Sequence, residues 1–341
     1  MEERTKFQGV KKLVKAYIDA MDACKPEECE EVLSKYVAED FVWEGVFPFN
    51  ERRGAKEVAE VFWKPLKESL SHMQIRQDIF FAGIGIDGKT WVMNMGQFMG
   101  NFDKDYMRIP RTTKMHHLRY GEWICVEDGK ISKISCHVDL LGFMEEAGIC
   151  PLGYSTGHFF VYPGPIDHNG LQYEDAPYDQ AEKTKAIVDE MMAGLDSLNT
   201  SHRTPQDMLR LTWKEDMIWY GPSGIGASYT IPRYQMQHQI PFRTQLDDKV
   251  ANPYTSYFAE GDFACYVMSM NVSPTGGWLG VTGGHKSVFL SGDTDVYYCK
   301  DGKISENWCF IDLPYWLNEQ GYNIFERTVG IVNPVLTDRD I

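Results

Sequence analysis

Two stretches decide how this chain is read: DGKISKISCHVDLLGFMEEAG, Asp128 to Gly148, and DGKISENWCFIDLPYWLNEQG, Asp301 to Gly321. They align without a gap at a spacing of 173 residues (301 − 128). Cys136 meets Cys309, Asp139 meets Asp312, Leu140 meets Leu313 and Gly148 meets Gly321. A second block lies upstream. AEDFVWEG, Ala38 to Gly45, resembles KEDMIWYG, Lys214 to Gly221, now at a spacing of 176 that pairs Trp43 with Trp219 and Pro65 with Pro241. The two blocks mark a duplicated unit, and such self-similarity sets the architecture before any single element does.

The composition suits two globular domains. The chain has 341 residues, 43% hydrophobic and 13% aromatic, enough for two ordinary cores. A formal charge of −15 argues against nucleic acid, whose binders gather Lys and Arg on one face. No apolar run has the length of a bilayer span, and MEERTKFQGV lacks the apolar core of a signal peptide. Eight cysteines form no CxxC pair, which fits reduced, buried thiols and a cytoplasmic setting.

Within each unit the order of elements repeats. KKLVKAYIDAM and EKTKAIVDEMMAGL carry apolar residues at three- and four-residue spacing, as helices do. A second helical piece follows, introduced in the second unit by Thr204 and Pro205 as N-cap and first turn. A strand comes next around Trp43 or Trp219, then a third helix, AKEVAEVFWKPLKESL or RYQMQHQIPFRTQL. The remainder is strand-like. Each DG sits between two strand runs, a strong hairpin signal. A short helix then closes each unit at a glycine. Helices first and antiparallel strands afterwards describe an α+β unit. The expected division is residues 1–153, a Gly/Pro-rich connection over 154–179, and residues 180–341.

The paired aspartates are the leading candidates for chemistry. Strand alternation puts Asp139 on one face with His137 and Ser135, and Asp312 with Phe310 and Trp308. A carboxyl among aromatic neighbours is partly desolvated, which lifts its pKa toward the range useful for acid–base catalysis. The competing reading is that each Asp caps the helix that follows it. His116 and His117 point to opposite faces of a strand and cannot share a metal. No HExxH, Cys/His cluster, phosphate loop or nucleophile elbow appears, so no metal site is expected.

ENWCFIDLPYWLNEQGYNIF, with DGKI before it and YQMQHQIPF further back, resembles the SnoaL-like polyketide cyclase family. The resemblance rests on Glu306, Trp308, Asp312 and Gly321. Lys133 and Ser135 replace the first two in unit one. It implies two NTF2-like folds, each a cone of helices packed on a curved antiparallel sheet. It further implies acid–base chemistry without metal or organic cofactor, with Asp312 as proton shuttle and Asp139 its counterpart. Trp308, Trp219 and His238 would shape the second pocket, Trp43 and His137 the first. The two units would pair within one chain, with further oligomerisation left open. The expected function is a cofactor-independent cyclase, isomerase or dehydratase acting on a small, largely apolar carbonyl compound. The alternatives are a small-molecule binder without catalysis, an NTF2-like assembly module, and epoxide hydrolysis, for which no coordinated polar set is visible.

Overall fold

The computed structural model describes residues 6–197, 205–274, 277–281, 287–288 and 293–332. Two six-stranded sheets carry the fold, and their orders are the same. The first runs β2 (Glu51–Arg53), β1 (Val37–Gly45), β6 (Lys130–Val138), β5 (Met115–Glu127), β4 (Thr90–Phe102), β3 (Leu70–Ile84). The second runs β8 (Ser228–Tyr229), β7 (Trp213–Tyr220), β15 (Lys303–Phe310), β14 (Asp293–Lys300), β11 (Phe263–Met268), β10 (Ser256–Glu260). In both, one parallel pair, β1 with β6 and β7 with β15, joins an otherwise antiparallel set. The fold is α+β, as the order of elements implies.

Both DG hairpins form as the sequence suggests. Asp128 and Gly129 adopt φ 49° and 73°, and Asp301 and Gly302 adopt 54° and 73°, the left-handed pair that two-residue hairpins need. After the aspartates come helices α5 (Leu140–Glu146) and α10 (Leu313–Glu319). Each ends at a glycine with positive φ, Gly148 at 79° and Gly321 at 82°. The backbone there closes with N–H groups of Ile149 and Tyr322 bonded to Met144 and Leu317 carbonyls, a Schellman arrangement.

Helix α1 (Gln8–Ala23) lays Val14, Tyr17, Ile18 and Met21 on the first sheet. The third helical segment of each unit contains one π turn, Ala59–Trp63 and Gln235–Gln239. Pro65 and Pro241 follow two residues later. A proline offers no N–H and its ring crowds the carbonyl four residues back, so the ladder slips by one residue just ahead of it. In unit two, helices α6 (Tyr178–Ser197) and α7 (Pro205–Thr212) play the roles of the first two helical pieces. Thr204, expected to cap α7, lies outside the described residues, as do 289–292 of the expected strand SVFLSGDTDVYYC.

Unit two departs from unit one at its outer strands. The 15-residue β3 corresponds to two pieces, β9 (Leu246–Ala251) and β10, separated at Asn252–Pro253. Strand β4 corresponds likewise to β11 and β12 (Met270–Pro274). The outer pieces β9, β12 and β13 (Ser287–Val288) form a small sheet of their own.

Side chains of the central strands are buried on both faces. One face of the first sheet, with Val92, Phe98, Leu118, Tyr120 and Ile124, meets its own helices and forms the cone interior. The other face, with Ile79, Phe81, Trp91, Met93, Met95 and Trp123, meets the second sheet's Phe258, Phe263, Val296, Tyr298, Trp308 and Phe310. The two units therefore join through the outer faces of their sheets.

Candidate functional site

The strand faces sort the predicted site residues into two places. Trp43, Trp219 and His238 lie inside the cones. Trp43 meets Phe62 at 5.2 Å between ring centroids. Trp219 stacks on His238 at 4.0 Å and 16°. Phe62 and His238 are equivalent at the 176 spacing, so the same ring pair recurs in both units. Burial pushes the His238 imidazole down to about 3, which keeps it neutral near pH 7.

His137, Trp308, Asp139 and Asp312 lie on the other face, where the units meet. His137 sits against Trp123 and Phe310 at 5.3 and 6.3 Å, and burial pushes it to about 3. Trp308 stacks on Tyr220 at 5.3 Å and donates its indole N–H to the Pro163 carbonyl at 3.0 Å.

The two aspartates do the same thing in mirror fashion. Asp139 caps α5, its Oδ1 accepting from Gly142 N at 2.8 Å, while Oδ2 accepts from Ser223 N of unit two at 2.9 Å. Asp312 caps α10, its Oδ1 accepting from Tyr315 N at 3.0 Å, while Oδ2 accepts from Phe47 N of unit one at 2.9 Å. Phe47 and Ser223 are themselves equivalent, 176 apart (223 − 47). Each carboxylate is thus a helix cap and a clasp on the other unit. That reciprocity is the signature of a two-fold interface. Burial lifts the Asp312 carboxyl to about 7, against the pull of the two N–H donors. The cleft beside Asp139, lined by His117, Arg119 and Phe159, holds about 10 Å³, room for roughly one water.

Inside the cones the structure brings forward two carboxyls that strand reading outward from Asp139 passes over. Glu122 on β5 and Asp295 on β14 are 173 apart (295 − 122). Each lies opposite an interior polar residue, Glu122 paired with Asn94 and Asp295 with Tyr266. Asn94 Nδ2 donates to Glu122 Oε2 at 2.8 Å, and Asn94 Oδ1 accepts from Gln77 Nε2 at 2.9 Å and from Tyr120 Oη at 3.3 Å. Glu122 Oε1 has no hydrogen-bond partner among the described residues. Burial lifts this carboxyl to about 7.

Asp295 has a fuller shell. Tyr266 Oη donates to Oδ2 at 2.5 Å, Asn307 Nδ2 donates to Oδ1 at 2.8 Å, and the Tyr297 hydroxyl lies 3.3 Å from that of Tyr266. Burial raises the Asp295 carboxyl above its ordinary range, while these donors oppose the rise. The duplication itself carried the signal for both groups, since the 173 spacing aligns them once it is extended six residues toward the N-terminus.

The cones differ in what fills them. In unit one Phe49, Phe62, Trp63, Phe98 and Tyr120 form a chain of rings 4.2 to 5.9 Å apart. At the equivalent positions unit two has Ile225 for Phe49, His238 for Phe62 and Gln239 for Trp63. It also has Gln235 for Ala59 and Tyr234 for Val58. Gln235 Nε2 donates to Gln239 Oε1 at 3.1 Å. The second cone is the more polar.

Comparison with known families agrees with this duplication. The SnoaL-like domain family matches residues 14–134, and the SnoaL-like polyketide cyclase family matches residues 236–317. The chain is a SnoaL-like tandem. Its fold is that of two NTF2-like units, which fits an internal pair, and the family is one of small-molecule-binding enzymes. Similar solved structures include an NTF2-like protein from Burkholderia thailandensis, 19% identical, covering 40% of this chain and 95% of its own, with a TM-score of 0.31. TsrD from Streptomyces laurentii is 16% identical over 41% of this chain and 95% of its own, with a TM-score of 0.33. An LEH-like epoxide hydrolase of M. tuberculosis is 12% identical over 45% of this chain and 93% of its own, with a TM-score of 0.29. Comparison with curated proteins gives no match. Among the described residues no cluster of His, Cys, Asp and Glu could hold a metal ion, and no helix is long and apolar enough to cross a membrane.

Proposed function

We propose that the second cone binds a small, largely apolar carbonyl compound and that Asp295 exchanges protons with it. One observation carries this reading. Asp295 is a buried carboxyl with raised pKa, set among Tyr266, Asn307 and Tyr297, inside the more polar of the two cones. Such a group can hold or release a proton near neutral pH.

In this scheme the ionised carboxyl takes a proton from the carbon next to the carbonyl. The Tyr266 phenol and the Asn307 amide fix its two oxygens, so it is held in one orientation. The protonated carboxyl then returns the proton to the new carbon or oxygen centre. The stacked Trp219 and His238 provide a flat neutral wall for the substrate. The chemistry is of the isomerase, cyclase or dehydratase kind and needs no cofactor. Asp139 and Asp312, with both oxygens of each engaged by backbone N–H groups, act here as positioning residues that hold the two units together.

The test is α-proton exchange. The full chain is incubated in D2O with a panel of cyclic and aryl ketones, and loss of the α-proton signal is followed by NMR. Exchange faster than buffer, abolished by Asp295→Asn and kept in Glu122→Gln, is the expected result. A ketone that binds without exchanging makes the protein a carrier. Exchange that survives Asp295→Asn and disappears with Asp312→Asn returns the role to the motif aspartate.

A further inference from the structure

Where α1 ends and α2 (Cys29–Ser34) begins, two free cysteines face each other, with the sulfurs of Cys24 and Cys29 3.8 Å apart. The backbone holds them there. Cys24 is the C-cap of α1, extended at φ −72° and ψ 153°, with its N–H on the Ala20 carbonyl. Lys25 to Glu28 make the turn: Glu28 Oε2 accepts from Lys25 N at 2.9 Å, and Glu28 N donates to the Lys25 carbonyl at 3.0 Å. Cys24 is half-buried between exposed Ala23 and Lys25, whereas Cys29 is 1% exposed and belongs to the core of the first unit. A reagent from solvent therefore meets Cys24 first, with Cys29 on its buried side.

A buried cation completes the site. Lys67 donates its ammonium to the carbonyls of Asp22 and Cys24 at 3.1 and 3.0 Å, and among the described residues no carboxylate pairs with it. An ammonium beside a thiol favours the thiolate, which is the reactive form of cysteine. The hydrogen bond from Cys29, joined by the Lys67 charge, holds the Cys24 thiol down to about 7 against partial burial and the Glu28 carboxylate. The same bond and burial push the Cys29 thiol up. One sulfur is thus readied to attack while the other keeps its proton. The fold does not demand this pair, since the 176 spacing puts Thr200 and Pro205 at the two positions in unit two.

We propose that Cys24 and Cys29 form a thiol–disulfide exchange site, at which Cys24 attacks a low-molecular-weight disulfide of the glutathione type and Cys29 resolves the product. In the first step the Cys24 thiolate bonds to one sulfur of the small disulfide and the other leaves as a thiolate, which takes a proton from water. In the second, Cys29 Sγ attacks Cys24 Sγ, the remaining small thiolate leaves, and the Cys29 proton passes to it. The sum is two protein thiols and one small disulfide becoming one protein disulfide and two small thiols. The two electrons lost by the protein reduce the small disulfide. Closure brings the sulfurs from 3.8 Å to about 2.05 Å. The new bond ties the end of α1 to the first turn of α2, next to the core residues Met21 and Leu33, and excess small thiol reverses it.

The test equilibrates the full chain with mixtures of reduced and oxidised glutathione, quenches with acid, alkylates the remaining thiols and maps peptides by mass spectrometry. A glutamate-specific protease cuts after Glu27 or Glu28, between the two cysteines, so their disulfide appears as two peptides joined. The joined pair is the expected result. Cys29→Ala should stop at a glutathione adduct on Cys24, and Cys24→Ala should leave Cys29 without one. In urea the disulfide should be about ten-fold or more easier to reduce with glutathione, because the folded turn and not the short spacing holds the sulfurs together. Absence of the joined pair, while exposed Cys150 carries glutathione, overturns the proposal. So does a disulfide equally stable in urea, or an adduct on Cys29 when Cys24 is gone. Melting curves establish that the variants fold, and the wild-type and urea measurements stand without them.

Discussion

Replacing Asp139 or Asp312 by serine separates the two jobs of each carboxylate. Serine is a good N-cap, so the bond to Gly142 N or Tyr315 N survives in kind. Its side chain is one atom shorter and has a single oxygen, so it cannot also reach Ser223 N or Phe47 N across the interface. The lost interaction is a hydrogen bond to a carboxyl oxygen across the interface, worth about 1.5 kcal/mol net. Alanine removes the cap as well, adding about 1 kcal/mol. The order at each site is then wild type, Ser, Ala, with a larger first step than second. Urea unfolding of the full chain, followed by tryptophan fluorescence and by far-UV dichroism, reads these steps. If the serine variants match wild type, the inter-unit bonds hold nothing and the clasp reading is wrong. If serine and alanine are equally costly, loss of the second oxygen outweighs the cap, and the capping role falls.

Glu122 makes stability depend on pH. Its carboxyl is lifted from about 4.5 in the open chain to about 7 by burial, so the folded state favours the protonated form. That contribution, about 3 kcal/mol at 1.36 kcal/mol per pH unit, is full below pH 4.5 and lost as the pH rises through 7. Other raised carboxyls act in the same direction, so the test is the difference: Glu122→Gln should flatten the fall in stability between pH 5 and 8, and parallel profiles would refute it. Lys11 is buried, with Nζ on Glu260 at 2.6 Å and on Asp175 at 3.2 Å; Lys11→Met leaves two buried carboxylates uncompensated and should cost about 3–5 kcal/mol, read by urea unfolding. In both units a tryptophan ring folds over the glycine two residues on, Trp43 over Gly45 and Trp219 over Gly221. Gly45→Ala and Gly221→Ala should each cost about 1–3 kcal/mol through overpacking, with melting temperature as the measure. His238→Phe restores the residue type of unit one; it should preserve the fold by dichroism and abolish ketone binding to the second cone by calorimetry.

The duplication, the DG hairpins and the closing helices with their glycines were legible because each rests on local chemistry: repeated strings, left-handed turn residues, a C′ glycine. The capping of α5 and α10 by Asp139 and Asp312 was also legible as the rival of a catalytic role. The faces were not. Strand alternation correctly groups Asp139 with His137, and Asp312 with Trp308, but cannot say which face lines the cone. Nearly every residue of β4 and β5 is buried, because helices cover one side and the second sheet the other, so the usual apolar–polar alternation is erased. Glu122 and Asp295 escaped for a related reason. They differ in type, follow no motif, and are notable only through their shared position in the repeat. The break between β9 and β10 had a cue in Asn252–Pro253, since a proline interrupts a ladder; the long run of β3 in unit one masked it.

The reciprocal clasp also bears on how the protein is made. Residues 6 to 146 can complete the first sheet and its helices while the rest is still being synthesised. At that stage Asp139 has no Ser223 to hold, and the face bearing Phe81, Trp91, Met93 and Trp123 has nothing against it. It stays uncovered until β15 ends at Phe310, more than 160 residues later (310 − 146). At about 5–20 residues per second that is on the order of 10 to 30 seconds with a wide apolar sheet facing solvent. Two such nascent chains on one messenger could pair through that face before either finished. The fusion of the two units into one polypeptide therefore sets a race between joining a neighbour and joining oneself, and the short tether from Ile149 to Tyr178 favours the second outcome.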